Sequence, residues 1–126
     1  MAYVKSFKEL EVYKLSREVA WKIFQISKFF PTEEKYSLTD QIRRSSRSVG
    51  AQIAEAWGKR RYEKHFISKL TDSDGEQLET QHWLETALEC EYLNNIDAGD
   101  LLMKCESIGK MIQTMIDKSS MFCGDR

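Results

Sequence analysis

The most informative part of the chain is residues 37–61, which read SLTDQIRRSSRSVGAQIAEAWGKRR. Apolar and small residues recur there at steps of three and four, which places them on one face of a helix that packs on a core. They are Leu38, Ile42, Ser45, Val49, Ile53 and Ala56. Ser37 with Asp40 is an N-terminal capping signal, and Gly58 is a stop signal. We therefore predict a helix over residues 38–57.

The middle of this predicted helix is built from small residues and arginines. Small side chains let neighbouring helices approach closely, so we expect the other helices to pack around this one. The small residues are Ser45, Ser46, Ser48, Gly50, Ala51 and Ala54. Arg43, Arg44 and Arg47 are expected to project from it as one basic cluster.

Length and composition limit the class of protein. A chain of 126 residues can bury a core as a single domain, residues 1–126. Its net charge is −1, so nucleic-acid binding would need a local basic patch. Three cysteines without Cys-x-x-Cys spacing suit a reducing compartment. The first six residues lack the apolar run of a signal peptide, and no segment approaches the ~18 apolar residues of a membrane span. These features predict a soluble, cytoplasmic protein without membrane contact.

A helix is also predicted over residues 7–30. Ser6 and Glu9 have the spacing of a capping box, and nothing breaks a helix before Pro31. The apolar residues form two stripes, one of Leu10, Tyr13, Ala20 and Phe24, the other of Val12, Leu15, Val19, Ile23, Ile26 and Phe30. One stripe serves a bundle core, so the second predicts homo-oligomerisation; the alternative is a monomer whose first helix is wrapped by the others.

Two further helices are predicted over residues 62–93 and 98–118, with residues 119–126 loosely ordered. A polar stretch, Asp72 to Gly75, threatens to break the third helix. Polar residues on its inward face would need hydrogen-bond partners from the second helix. The polar residues are Ser73, Gln77 and Gln81, and the expected partners are Ser45, Ser48, Gln52 and Glu55. Four long helices with short connections predict an all-α, antiparallel up-down-up-down four-helix bundle.

Charge is distributed unevenly along the chain. Residues 37–64 hold seven basic and three acidic residues, a net charge of +4. Residues 65–96 hold one lysine and seven acidic residues, a net charge of −6. A basic helix followed by an acidic one is expected to be neutralised by it, within a subunit or between subunits.

Catalytic signals are weak. Glu79 and His82 have the Glu-x-x-His spacing of di-iron bundles, but such a site needs a second copy, and His65 has Tyr62 three residues before it. There is no Gly-x-Ser-x-Gly and no Gly-rich phosphate loop. We expect a non-enzymatic protein with no catalytic residues, no metal and no cofactor.

The basic residues are the better functional lead. Arginines one turn apart can bind phosphates, and a second basic group after Gly58 could widen the surface. The candidate residues are Arg43, Arg44, Arg47, Lys59, Arg60, Arg61 and Lys64. Trp57 and Tyr62 could stack on bases. The alternative is that the arginines bind acidic residues of a neighbouring subunit, such as Asp72, Asp74 or Glu76, and build an oligomer.

Residues 40–56, DQIRRSSRSVGAQIAEA, resemble the characteristic run of the 23S rRNA-intervening-sequence protein family. Residues 10–13, Phe30-Pro31 with Tyr36, residues 79–81 and Tyr92-Leu93 support the resemblance, which covers most of the chain. Gln52 and Ala56 depart from the family's Asn and Gly. The stretch at residues 72–75 also differs from the family's small residues.

The resemblance implies an antiparallel four-helix bundle that assembles into a ring-like homopentamer. It also implies kinship with the accessory variability proteins of diversity-generating retroelements, which are basic and bind nucleic acid and a reverse transcriptase. No catalytic residue comes with the family. We therefore expect a cytoplasmic homo-oligomer whose partner is structured RNA or a ribonucleoprotein, with a purely structural or protein-interaction oligomer as the alternative.

Overall fold

The computed structural model describes residues 4–124. Over this range the chain forms four long helices, α1 (Glu11–Ser27), α2 (Asp40–Gly58), α3 (Glu63–Glu89) and α4 (Asn95–Asp117), followed by one short helical turn, α5 (Ser119–Phe122). The expectation about a signal peptide rests partly on residues 1–3, and the predicted tail ends at residues 125–126. Those five positions lie outside the described residues.

Side-chain contacts show that neighbouring helices run antiparallel. Late α1 residues meet early α2 residues, since Arg43 contacts Ser27, while Gly50 lies near Ser16. The same reversal relates α1 to α4, where Glu18 pairs with Lys104 and Lys22 with Asp100. Between α2 and α3, Arg44 pairs with Glu79 and Lys69 with Glu55. The predicted all-α four-helix bundle is confirmed, and these contacts place α1 antiparallel to α2 and to α4, and α2 antiparallel to α3.

The core runs along the bundle axis and draws on all four helices. Its largest fully buried side chains are Phe66, Ile23, Ile42, Ile53, Leu70, Leu84, Leu101, Ile108 and Ile112. Full burial of one such side chain contributes about 1.5–3 kcal/mol relative to exposure. The six core positions predicted for α2 are all buried.

A polar layer crosses the core between α2 and α3. The hydroxyl of Ser73 donates to the backbone carbonyl of Val49 at 2.8 Å, and that of Thr80 contacts Ser45 at 2.9 Å. The amide of Gln77 donates to Asp74 on its own helix. No buried side-chain nitrogen or oxygen within residues 4–124 lacks a partner. The prediction that α2 side chains would partner Ser73, Gln77 and Gln81 is wrong: Ser45 accepts from Thr80, Ser73 uses the α2 backbone, and the amide of Gln81 donates to Gln77 at 2.7 Å.

The third helix is continuous through Gly75. It spans 27 residues from Glu63 to Glu89, because the polar stretch before Gly75 does not interrupt the apolar face at Phe66, Leu70 and Leu84. It begins and ends close to the predicted bounds of 62–93, with the four last predicted residues forming the turn.

The N-terminal part differs from the prediction of one helix over residues 7–30. The capping box of Ser6 and Glu9 is present, but it caps a 3₁₀ turn, Phe7–Glu9. Leu10 is extended and 8% exposed, so the chain is redirected to bury this side chain before α1 begins. The apolar stripe containing Tyr13 and Phe24 lies half-buried against α2, so it does not by itself require a second subunit.

The second helix begins later than predicted. Residues Lys35–Thr39 form a π-helical turn, and the predicted cap Ser37 lies inside it, where its hydroxyl donates to Glu34 at 2.7 Å. This wider turn buries Leu38 and Thr39 before α2 starts at Asp40. Gly58 is the last residue of the helix, in agreement with the predicted stop.

The fourth helix and the tail are more ordered than predicted. Helix α4 begins at Asn95, three residues early, because Asn94 caps it through the backbone N–H of Asp97 at 2.8 Å. In the tail, the ring of Phe122 stacks on Phe66 at 5.9 Å. The prediction of a loose tail is therefore wrong for residues 119–124. Among the helices described, none has the length and apolar character needed to cross a membrane.

Candidate nucleic-acid interface

The three arginines of α2 do not form one cluster. A helix turns ~100° per residue, so Arg43 and Arg44 project about 100° apart around α2, with Arg47 between them and nearer to Arg43. Arg43 faces α1, where its Nε donates to Ser27 Oγ at 2.8 Å. Arg44 faces α3, where it binds Glu76 and Glu79. The sequence run Arg-Arg-x-x-Arg is thus divided between two surfaces.

On the α3 side the charge of Arg44 is neutralised within the chain. Its Nη2 lies 3.2 Å from Glu76 and 2.6 Å from Glu79. Ser48 also donates to Glu76, at 3.0 Å. The hydrogen bond from the indole of Trp83, together with Arg44, lowers the pKa of Glu79. The predicted neutralisation of the basic helix by the acidic one occurs here, inside one subunit.

On the α1 side three cations surround one aromatic ring. The ring centroid of Phe24 lies 4.7 Å from Lys28 Nζ, 4.9 Å from Arg43 Cζ and 5.4 Å from Arg47 Cζ. Such contacts contribute about 0.5–1 kcal/mol each at exposed sites. They hold the cations close together on the surface.

Arg17 and Trp21 extend this surface. With Ala20, Phe24 and Arg47 they line a shallow cavity of about 210 Å³ between α1 and α2. Trp21 is 61% exposed, and its ring lies 5.7 Å from that of Phe24 at an angle of 30°. We refer to this set as the Phe24 patch, comprising Arg17, Trp21, Phe24, Lys28, Arg43 and Arg47.

The cations of the Phe24 patch have no acidic partner in the described part of the chain. Within residues 4–124, no carboxylate oxygen lies within 4.0 Å of the charged nitrogens of its four basic residues. The acidic residues of α1 are used elsewhere, with Glu11 on Lys14 and Glu18 on Lys104. The patch is therefore a local concentration of positive charge on a chain whose net charge is −1.

The second predicted basic group lies around the turn between α2 and α3. Lys59, Arg61 and Lys64 are exposed there. The guanidinium of Arg60 covers the ring of Trp57 at 3.6 Å, which leaves that face of the indole unavailable for stacking on a base. Twelve residues of helix place this group about 18 Å along α2 from Arg47, so the structure does not join the two basic groups into one patch.

The Glu79 and His82 pair is not arranged as a metal site. Glu79 Oε2 accepts from both Arg44 at 2.6 Å and Trp83 at 3.0 Å, while His82 is exposed with its ring against Trp83. Over residues 4–124, no three His, Cys, Asp or Glu side chains group so as to hold a metal ion.

Sequence reasoning missed the contribution of α1 to the Phe24 patch. Arg17, Trp21, Phe24 and Lys28 recur at steps of four, three and four, which is the spacing of one helix face. The sequence contains this signal, but apolar periodicity alone places Phe24 in an apolar stripe and takes no account of the cations beside it.

Comparison with known proteins places the chain among relatives of unsettled role. A family model described as 23S rRNA-intervening sequence protein matches residues 8–114. A crystal structure from Bacteroides thetaiotaomicron, described as a protein with unknown function from the S23 ribosomal protein family, is 32% identical with a TM-score of 0.76. The match covers 84% of this chain and 95% of that one. No curated protein matched. The chain belongs to the 23S rRNA-intervening sequence protein family.

Proposed function

We propose that this chain is a non-enzymatic RNA-binding protein that acts as a cytoplasmic homo-oligomer and binds structured RNA or a ribonucleoprotein through the Phe24 patch. The observation that carries the proposal is the set of four cations gathered around an exposed aromatic surface without a carboxylate partner in the described residues. Phosphate is the natural counter-ion for such a set, because guanidinium groups bind it in a bidentate manner.

Two features indicate that the Phe24 patch is a binding surface and not a chance cluster of cations. The side chain of Arg43 is held in place by Ser27, whose own hydroxyl donates to the carbonyl of Phe24 at 3.1 Å. A side chain that is already ordered loses less entropy when it binds a ligand. In addition, the chain has abundant carboxylates, yet Arg44 is neutralised and Arg43 and Arg47 are not.

The test compares two single charge removals on the same helix. Arg47→Ala removes an exposed cation of the Phe24 patch, and Arg44→Ala removes one that is already paired with carboxylates. Fluorescence anisotropy with a labelled rRNA hairpin and a matched DNA duplex, at about 50 and 200 mM salt, measures both affinity and its salt dependence. We expect Arg47→Ala to weaken RNA binding and to lower the salt slope by roughly one unit, with Arg44→Ala having the smaller effect.

Two results would contradict the proposal. One is an absence of salt-sensitive RNA binding by the wild-type protein at the lower salt. The other is an equal loss of affinity in both variants, because that would mean only net charge matters. If the protein bound the DNA duplex more tightly than the hairpin, the Phe24 patch would remain the binding surface, but its ligand would be DNA and not RNA.

The second candidate function is a structural oligomer in which the surface formed by α1 and α2 is a subunit interface. It is favoured by a groove of about 200 Å³ between α1 and α2, where Tyr13 and Phe7 flank the small residues Gly50, Ala51 and Ala54.

We propose a homo-oligomer, a pentamer by family resemblance, under either function. Light scattering measures its mass, and a monomer at micromolar concentration would contradict it. Loss of assembly in Arg47→Ala would favour the interface role over RNA binding.

A further inference from the structure

We propose that the Phe24 patch recognises an unpaired RNA nucleotide, with its base stacked on Trp21 and its flanking phosphates bound by Arg17 and Arg47. This inference rests on the proposed function and narrows it to one class of ligand, namely single-stranded segments such as loops and bulges. Bases in a duplex are already stacked on each other, so only an unpaired base is free to stack on a protein side chain.

The geometry around Trp21 provides the base-stacking surface. This indole is 61% exposed although its neighbour Phe24 is half-buried under cations, so Trp21 holds the open aromatic face of the patch. Because its ring lies 5.7 Å from that of Phe24, Trp21 belongs to a contiguous aromatic surface and is not a single exposed residue. Contiguous apolar patches of this kind mark interaction sites. Its position beside the shallow cavity between α1 and α2 leaves space for a planar group.

Two arginines line the same cavity as Trp21. Arg17 precedes Trp21 by one turn of α1, and Arg47 approaches from α2 to line the same cavity. Both are exposed, and neither has a carboxylate partner among residues 4–124. An aromatic surface with two cations beside it suits a single strand, where bases and phosphates alternate.

The chain offers a matched control in Tyr62. It is 57% exposed and lies beside the second basic group, so it has similar exposure and similar local charge. The ring of Tyr62, however, already packs on His65 at 5.4 Å. Since both residues are exposed, neither substitution removes core packing, and a thermal melt checks that each variant is folded.

The experiment measures the anisotropy of a labelled unstructured 12-nucleotide RNA and of the same strand annealed to its complement. Wild-type protein should prefer the single strand. Trp21→Ala should weaken single-strand binding by about 5- to 150-fold, the range for loss of one stacked base, without changing the salt slope. Trp21→Phe should recover part of the affinity, and Tyr62→Ala should have little effect.

The outcomes separate this inference from the proposed function. If the wild type binds both RNAs equally and Trp21→Ala changes nothing, while Arg47→Ala weakens both, RNA binding stands and base stacking is wrong. If the wild type binds neither RNA, base stacking is wrong, and the proposed function fails as well when the rRNA hairpin is also not bound. An equal loss in Tyr62→Ala and Trp21→Ala would overturn the assignment of the platform to Trp21.

Discussion

A pair of glycine substitutions gives a quantitative test of the packing described above. Gly75 lies in the middle of α3, and a Cβ built there meets no atom within 4 Å. In a helix interior alanine is about 0.8–1.0 kcal/mol more favourable than glycine. Unfolding entropy of ~2.1 cal/mol/K per residue amounts to about 0.26 kcal/mol/K for this chain, so Gly75→Ala should raise Tm by about 3–4 °C.

Gly50 is the contrasting position on α2. A Cβ there would lie 2.9 Å from Ser16 Oγ and 3.5 Å from Tyr13 Cε1. Ser16 is 2% exposed and its hydroxyl donates to the carbonyl of Tyr13 at 2.6 Å, so it has little room to move. Overpacking of this kind costs about 1–3 kcal/mol, which offsets or exceeds the same gain in helix propensity.

Thermal and urea unfolding of both variants, at one fixed protein concentration, measure the difference. Fixed concentration matters because the Tm of an oligomer depends on it. We expect Gly75→Ala to be more stable than the wild type and Gly50→Ala to be equal or less stable. A destabilised Gly75→Ala would refute the continuous α3, and equal stabilisation of both variants would refute the close approach of α1 to α2.

Three further predictions concern the core, an acidic residue and the thiols. Phe66→Ala removes a fully buried ring and should cost about 3–5 kcal/mol in urea unfolding; a loss below about 1 kcal/mol would contradict its burial. The pKa of Glu79 is lowered, mainly by the hydrogen bond from Trp83. This carboxylate therefore stabilises the folded state at pH values above its ordinary pKa of 4.5, and that stabilisation is lost as the pH falls through the lowered pKa. Glu79→Gln should therefore be less stable than the wild type at pH 7, by under about 1 kcal/mol, with a smaller difference at pH 3; a difference that grows towards pH 3 would contradict this. Burial raises the pKa of Cys105 to about 12, so a thiol reagent at pH 8 should label exposed Cys90 well before Cys105, with mass spectrometry reading the sites; comparable labelling of both would mean that the core opens.

The sequence predicted α2 well because helical periodicity and burial coincide there. Each predicted inward residue, from Leu38 to Ala56, is buried, since side chains three and four positions apart share a helix face. The capping signals were less reliable. Ser6 and Glu9 do form a capping box, but on a 3₁₀ turn, because burying Leu10 has more influence on the chain path than the local signal.

The predicted start of α2 is wrong for a related reason. Ser37 has the composition of an N-cap, yet it lies within a π-helical turn that buries Leu38 and Thr39. Tertiary packing decides such positions, and composition records only the local preference. The register of a terminal turn is therefore the least predictable part of this fold.

The candidate site was half visible from the sequence. The spacing of Arg43 and Arg47 predicts that they are neighbours, and both contact the ring of Phe24; Arg44, although adjacent in sequence, lies against α3 instead. The α1 face with Arg17 and Trp21 could have been found from its spacing. That this face lies against the Arg43 side of α2 follows only from the packing, which periodicity within one helix does not specify.

The distribution of charge on α2 is itself an argument about its role. The four like charges of the Phe24 patch repel one another, and the three cation–π contacts with the Phe24 ring recover only about 0.5–1 kcal/mol each. The same helix shows how such repulsion is relieved, because Arg44 is paired with Glu76 and Glu79 one residue away from Arg43. A chain with twenty acidic residues does not lack carboxylates for the other face. Because that face has no compensating carboxylates, the cations repel one another in the free protein. An anionic partner that binds there would remove this repulsion, and its removal would add to the free energy of binding.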